Sequence, residues 1–171
     1  MIFKQMEMNA IEKQYIDLNI LLKWQEKVDL LEDLLKVSAI LIMKLHPHEL
    51  EVLVSSQSED NPYLIGDRGE LSIGSYCDSV VAGKTKVHIK DAAEDDLWKD
   101  KMKCNSGMSC YLGMPIFYPN GELFGTFCVL NKECREFDDL DHKLVDHFKE
   151  SIESDLVIDE QNDIIRNSSI Y

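Results

Sequence analysis

The sequence predicts an α+β domain with a central antiparallel sheet, the two terminal helices together on one face and a lid on the other. Three observations lead there. Residues 110–130, CYLGMPIFYPNGELFGTFCVL, hold two apolar runs joined by Tyr118-Pro119-Asn120-Gly121. Proline fixes φ and Asn-Gly tolerates φ > 0, which is the chemistry of a tight antiparallel reversal. Both runs are too apolar for a sheet wet on one side, so both faces of this hairpin need a cover. A stripe on a helical period precedes the strands, at Trp24, Val28, Leu31, Leu34 and Leu35. A second follows them, at Leu140, Leu144, Val145, Phe148, Ile152 and Leu156.

Taken in order, residues from Ile11 to about Val37 read as an amphipathic helix, which ends where KVSAILIMKL changes from helical period to a continuous β-rich run. Ala39 to Leu45 is then a buried central strand, 46–49 a turn and Leu50 to Ser56 its hairpin partner, followed by a Ser/Asp/Asn/Pro/Gly surface loop to Gly69. Gly74 to Ala82 carries Tyr76, Val80 and Val81 on a short helical face, with Gly83 placed where a helix end wants φ > 0. Lys86 to Ile89 is a strand. Asp91 to Gly107 is the most irregular stretch, with a short acidic helix around Ala93 to Trp98 and a polar loop after it. A long loop of that kind inside a compact domain is typically a lid or binding loop. After the hairpin, Asp138 is an N-cap aspartate followed by acidic residues in the first turn, where the helix dipole favours them. Its helix runs on past Ile164.

At 171 residues the chain is one ordinary domain with room for a core. Its 18 Lys and Arg against 32 Asp and Glu give a net charge of -14, which repels a phosphate backbone or an anionic membrane. No nucleic-acid or membrane partner is expected. The first residues, MIFKQMEMNAIEKQ, lack the apolar stretch of a signal peptide, and no apolar run approaches the roughly 20 residues of a membrane span, so a cytoplasmic location is expected. Cys77, Cys104, Cys110, Cys128 and Cys134 are odd in number and match neither zinc nor secreted-disulfide spacing, so they read as reduced thiols.

The element order and the segments WQEKVDLLEDLLKVSAILIMKL, SSQSEDNPY, GSYCDSVV, DLWKDK, SGMSCYLGMPIFYPNGELFGTFCVLN and FDDLDHKLVDHFKESIESDL resemble the GAF family of small-molecule sensor domains, from about Trp24 to Leu156. The LGMPIFYPNGELFGTFCVL part is the most specific. The resemblance implies a six-stranded antiparallel sheet, a helical layer on one side, a ligand cavity on the other and dimerisation through the terminal helices. It implies a GAF domain over 24–157, an N-terminal helical extension over 1–23 and a C-terminal linker helix over 158–171. In proteins that resemble this one, that linker leads into an output domain such as a GGDEF diguanylate cyclase or a histidine kinase. It names no particular ligand and no cofactor.

Tyr76, Asp91, Trp98, Met108, Tyr111 and Cys128 are the candidate ligand-binding residues, because the short helix, the lid and the hairpin that carry them should surround the cavity. For the aromatic, Met and Cys positions, plain core is the competing reading, and for Asp91 a helix cap. One branch of the family reduces free methionine sulfoxide with cysteines around this cavity. Cys77 and Cys104 lie in the corresponding segments, although that branch's residue pattern does not map onto these positions. Bilin attachment would need phytochrome motifs that are absent, and Cys104, Cys110 and His88 match no common metal spacing. His46, His48, His142 and His147 read as surface residues, the last two being off the i, i+4 spacing of a metal pair. No nucleotide-loop, hydrolase-elbow, zinc-protease or kinase motif occurs, so no catalytic residue is assigned. The sequence is therefore read as a sensory domain whose partners are a small molecule and a second copy of itself.

Overall fold

The computed structural model describes residues 16–169. The expected N-terminal extension lies largely outside the described residues, and so does the expected helix start at Ile11. Helix α1 (Leu18–Leu35) begins at an Asp17 N-cap that accepts the Asn19 N–H, and ends at Lys36 in left-handed backbone. There follow β1 (Ala39–Leu45), β2 (Glu49–Ser55), β3 (Arg68–Glu70), α2 (Tyr76–Gly83), β4 (Val87–Ile89), two 3-10 turns (Ala92–Glu94 and Met102–Asn105), β5 (Cys110–Phe117), β6 (Leu123–Asn131) and α3 (Asp139–Ser168).

The strands form one six-stranded sheet in the order β3-β2-β1-β6-β5-β4, antiparallel at every pairing. The α+β class and the six-stranded antiparallel sheet are as expected. The hairpin β5–β6 and strand β1 make its centre, which is why their residues are apolar on both faces. Cys110, Leu112, Met114, Ile116, Phe127 and Val129 join Trp24, Val28, Leu31, Leu35, Val145, Ile152 and Leu156 in the core under the helices. Tyr111, Cys128 and Leu130 join Tyr76, Val80, Ile89 and Met108 in a second core on the opposite face. The register shifts by one residue between Ile116 and Phe117, so Phe124 is the extra residue of a bulge and packs under the helices.

Helices α1 and α3 lie antiparallel on one face. The Trp24 indole donates to Asp155 at 3.0 Å, Lys27 reaches Asp155 and Ser151 at 2.6 Å each, and the Asp17 N–H reaches Asp159 at 3.1 Å. Asp138 caps α3 as expected and forms a reciprocal pair of hydrogen bonds with Asp141. At the far end of the hairpin, the Phe117 N–H donates to Glu153 of α3 at 2.8 Å.

Five expectations need correction. Leu140 is 72% exposed, because five residues before Val145 is about 140° around a helix. Leu34 is 56% exposed, lying about 80° off the line through Trp24, Val28, Leu31 and Leu35. The left-handed residue that ends α2 is Lys84, not Gly83. The expected helix around Ala93 to Trp98 is a single 3-10 turn followed by turns, since Asp91 and Asp95 carboxylates accept local backbone N–H groups and compete with helix. The surface loop after β2 contains β3, an edge strand of three residues, whose Arg68 faces Glu49 and Glu51. A strand this short and charged is how proteins blunt a sheet edge, and it leaves no periodic signal. No helix among the described residues is long and apolar enough to cross a membrane.

Candidate functional site

The second core is built where α2 and the lid close over the free face of β1, β6 and β5. The α2 N-terminus is fixed first. Ser75 and Asp78 form a capping box, and the Asp78 carboxylate also takes the Gly74 N–H at 3.0 Å. Asn105 then clamps the lid to it. This buried side chain accepts the Tyr76 N–H at 2.7 Å and donates to the Lys101 carbonyl at 2.8 Å and the Gly74 carbonyl at 3.4 Å. The Tyr76 hydroxyl donates to the Met108 carbonyl at 2.6 Å and the Tyr63 hydroxyl to the Asn105 carbonyl at 3.3 Å. Every polar atom named here has a partner, as a buried polar group requires.

Five of the six candidate residues meet in this place. Tyr76, Met108, Tyr111 and Cys128 are fully buried, and Trp98 is half-buried at the edge. The Tyr76 ring packs edge-on against Trp98 and tilted against Tyr111, with 5.2 Å between centroids in each case. Lys101 stands over the outer Trp98 ring at 5.3 Å. Asp91 does not join them: its carboxylate caps the first 3-10 turn by accepting the Ala93 N–H.

Beneath the aromatic group lies a set of sulfur atoms. Cys77 Sγ, from the first turn of α2, is 3.2 Å from Cys128 Sγ on β6. The Tyr111 hydroxyl donates to Cys77 at 3.2 Å and stands 3.4 Å from Cys128. The Cys128 thiol donates to Thr126 Oγ1 at 3.2 Å, and that of Cys77 points to Met43 Sδ at 3.7 Å. The close polar contact with Cys128 holds the Cys77 thiol below the ordinary cysteine range, against the opposing effect of burial and with help from Tyr111 and Thr126. Burial pushes the Cys128 thiol well up. Burial also raises the phenols, Tyr63 and Tyr76 to about 12 and Tyr111 well above the ordinary phenol value, so at neutral pH all three are hydrogen-bond donors.

Sequence reasoning missed Asn105, Tyr63, Thr126 and Met43. A buried asparagine in a polar loop carries no sequence mark, and Thr126 and Met43 read as ordinary strand residues. The sequence points to Cys77 with Cys104 as its companion, whereas the structure sets Cys77 against Cys128. Cys104 is exposed on the lid and Cys134 is exposed elsewhere, while Cys110 lies under the helices. His88 is half-buried with its Nε2 unpartnered and its ring 5.1 Å from that of His142. Among the described residues, no group of three or more His, Cys, Asp and Glu side chains is placed to hold a metal ion. Two surface grooves lie away from the second core. One of about 340 Å³ runs between the hairpin tip and α3, and one of about 280 Å³ lies between Lys84 and Lys149.

A six-stranded antiparallel sheet with an antiparallel pair of terminal helices on one face and a lid on the other is the architecture of a GAF-type domain. The GAF domain family model matches residues 24–154, and the chain belongs to this family. Among solved structures, the phycoerythrobilin-bound GAF domain of a cyanobacterial phytochrome superposes with a TM-score of 0.70 at 17% identity, over 91% of this chain and 94% of that one. The substrate complex of free methionine-R-sulfoxide reductase from Neisseria meningitidis gives 0.69 at 14% identity, over 90% and 86%. The GAF domain of a phosphoenolpyruvate-protein phosphotransferase from Acinetobacter gives 0.62 at 15%, over 81% and 82%. At these identities the likeness is one of fold. No curated protein matches the chain in sequence.

Proposed function

We propose that the domain is a sensor whose small-molecule ligand enters between the lid and the β1–β6–β5 face. In this reading Tyr76, Trp98, Met108, Tyr111 and Cys128 line the chamber, and Asp91 stands at its rim. The observation that carries it is the convergence of these residues on the face away from the helices, under a lid anchored through Asn105. An apolar, aromatic lining with a few placed polar groups is what a small-molecule site requires. Membership of the GAF family supports the reading, as does the phycoerythrobilin bound to one structural neighbour. The chamber is filled by its own side chains, so a ligand would select a state in which Trp98 and the lid have moved outward.

The output would leave through the opposite face. β5 and β6 carry the chamber on one side and the α1–α3 layer on the other, and Glu153 of α3 is bonded to the end of the hairpin. A change in the lid would bias the packing of α3, whose exposed Val157, Ile158, Ile164 and Ile165 suit a second copy of the chain. A downstream GGDEF diguanylate cyclase is the output domain this arrangement would serve, with a histidine kinase as the alternative, in a cytoplasmic signalling protein. A thermal-shift screen against metabolites, run on Trp24→Phe so that Trp98 is the remaining tryptophan, tests the ligand. A binder should raise the melting temperature and shift Trp98 emission together. Binders that stabilise the protein while leaving Trp98 unmoved would place the site elsewhere.

A second reading is favoured by two observations: Cys77 sits in the chamber, and a free methionine-R-sulfoxide reductase is among the structural neighbours. Thiol-dependent reduction of free methionine sulfoxide that is lost in Cys77→Ser would establish it in place of a pure sensor.

A further inference from the structure

The paired thiols in the floor of the second core have no structural need to meet. A buried cysteine packs as a small hydrophobe and asks for no partner, yet Cys77 and Cys128, brought together from a helix and a strand, stand 3.2 Å apart. Tyr111 addresses both sulfurs, and the residues that complete the set, Thr126 and Met43, are acceptors for the two S–H groups. The other three cysteines are excluded from this contact by position, Cys110 lying beneath the helices and Cys104 and Cys134 on the surface.

We propose that Cys77 and Cys128 are a two-electron redox site, a dithiol that a small hydroperoxide converts to a disulfide joining α2 to β6. The two sulfurs divide the work by position. Cys77 is on the outer element at 8% exposure and Cys128 is at 0%, so the peroxide meets Cys77 first. Its sulfur attacks the O–O bond. An S–O bond forms, the O–O bond breaks, and the leaving alkoxide or hydroxide takes the Cys77 proton, giving Cys77 sulfenic acid and an alcohol or water. Cys128 sulfur then attacks the Cys77 sulfur. The S–S bond forms, the S–O bond breaks, and hydroxide leaves as water with the Cys128 proton. Two thiols and one hydroperoxide give one disulfide, one alcohol or water, and one water.

The bond would draw the sulfurs about 1.2 Å closer, from their present contact to the ~2.05 Å of a disulfide. The first turn of α2 moves with Cys77, and this turn also carries Tyr76, which holds Trp98 and the Met108 carbonyl. Oxidation therefore acts on the lid without any ligand, and the proposal stands apart from the ligand-sensing reading.

The test uses Cys104→Ser/Cys134→Ser protein, which lacks the two exposed thiols, treated with a small molar excess of hydrogen peroxide. The protein is then unfolded, alkylated and mapped by mass spectrometry without reduction. A loss of two hydrogens per chain, a linked Cys77–Cys128 peptide that dithiothreitol releases, and an alkylated Cys110 are expected. The wild type, mapped in the same way, gives the same linked peptide should the double variant fold poorly. In Cys128→Ala the linked peptide disappears and Cys77 is recovered as a dimedone adduct of its sulfenic acid. Recovery of both thiols unreacted, under conditions that oxidise Cys104 of the wild type, would overturn the proposal. So would oxidation of Cys77 to sulfinic acid with Cys128 still a free thiol.

Discussion

The Tyr111 ring lies over Gly113, two residues along the same strand, so closely that a methyl group on Gly113 would sit 2.1 Å from the Tyr111 hydroxyl. Both residues are on β5, and Gly113 is the register partner of Cys128 on β6. The missing side chain is what lets the phenol reach both Cys77 and Cys128. Gly113→Ala should therefore displace a buried, rigid ring rather than a flexible tip. The expected cost is about 1–3 kcal/mol in urea unfolding. Tyr111 fluorescence and the reactivity of Cys77 should change with it, whereas a change confined to stability would mean that Tyr111 does not govern the thiols.

Asn105 carries the second prediction. Its side chain fills three hydrogen-bonding positions between α2 and the lid. Removing it in Asn105→Ala leaves the Tyr76 N–H and the Lys101 carbonyl without these partners. Leaving buried groups unpaired costs about 1–3 kcal/mol. The loss should be local as well as global. Hydrogen exchange should quicken across 101–108 and the start of α2, with β1 and β6 little changed. Equal quickening throughout the sheet would show that Asn105 serves the whole fold rather than the lid.

These two residues mark where sequence reading reached its limit. Trp24, Val28, Leu31 and Leu35 were legible because a helical period repeats a burial requirement several times over. The hairpin was legible because its turn chemistry is local, and Gly121 does adopt φ of +87°. Leu140 is apolar and adjoins the stripe in sequence, but its angle around the helix turns it to solvent. Asn105 and the Cys77–Cys128 contact were illegible for another reason. Each depends on a pairing between segments far apart in the chain, and neither residue type announces its partner. In sequence Gly113 is a small residue in an apolar run, and nothing local marks that the Tyr111 ring lies over it.

His88 makes stability depend on pH. Burial, then the neighbouring His142 and Lys90, hold its pKa below the ordinary 6.5, with Glu136 opposing and Lys86 adding to the depression. Its Nε2 is buried without a partner. The unfolded chain thus binds this proton more readily than the folded one. The stability that His88 confers by staying neutral is complete above about pH 6.5 and is lost as pH falls through the depressed folded value. Urea midpoints measured between pH 7.5 and 5 should fall less steeply for His88→Phe than for the wild type. Parallel curves would remove His88 as a source of the acid sensitivity.

The exposed apolar residues on α3 give the last prediction. Val157 and Ile164 are seven apart, as are Ile158 and Ile165, and all four face solvent beyond the part of α3 buried through Val145, Ile152 and Leu156. Seven-residue spacing is the seam of a helix pair, and Leu18 and Leu22 of α1 are exposed as well. In a two-fold dimer each substitution is counted twice. Removing a buried isoleucine at about 1.5–3 kcal/mol from both protomers should weaken association by at least about a hundredfold. Ile158→Glu/Ile165→Glu is therefore expected to run as a monomer in light scattering at concentrations where the wild type is a dimer. Its own unfolding free energy from urea titration, measured below the dimer's dissociation constant, should stay within about 0.5 kcal/mol of wild type, because both side chains are exposed in the single chain. A wild type that stays monomeric at high concentration would rule out this seam. A dimer that survives both glutamates would place the contact on another face.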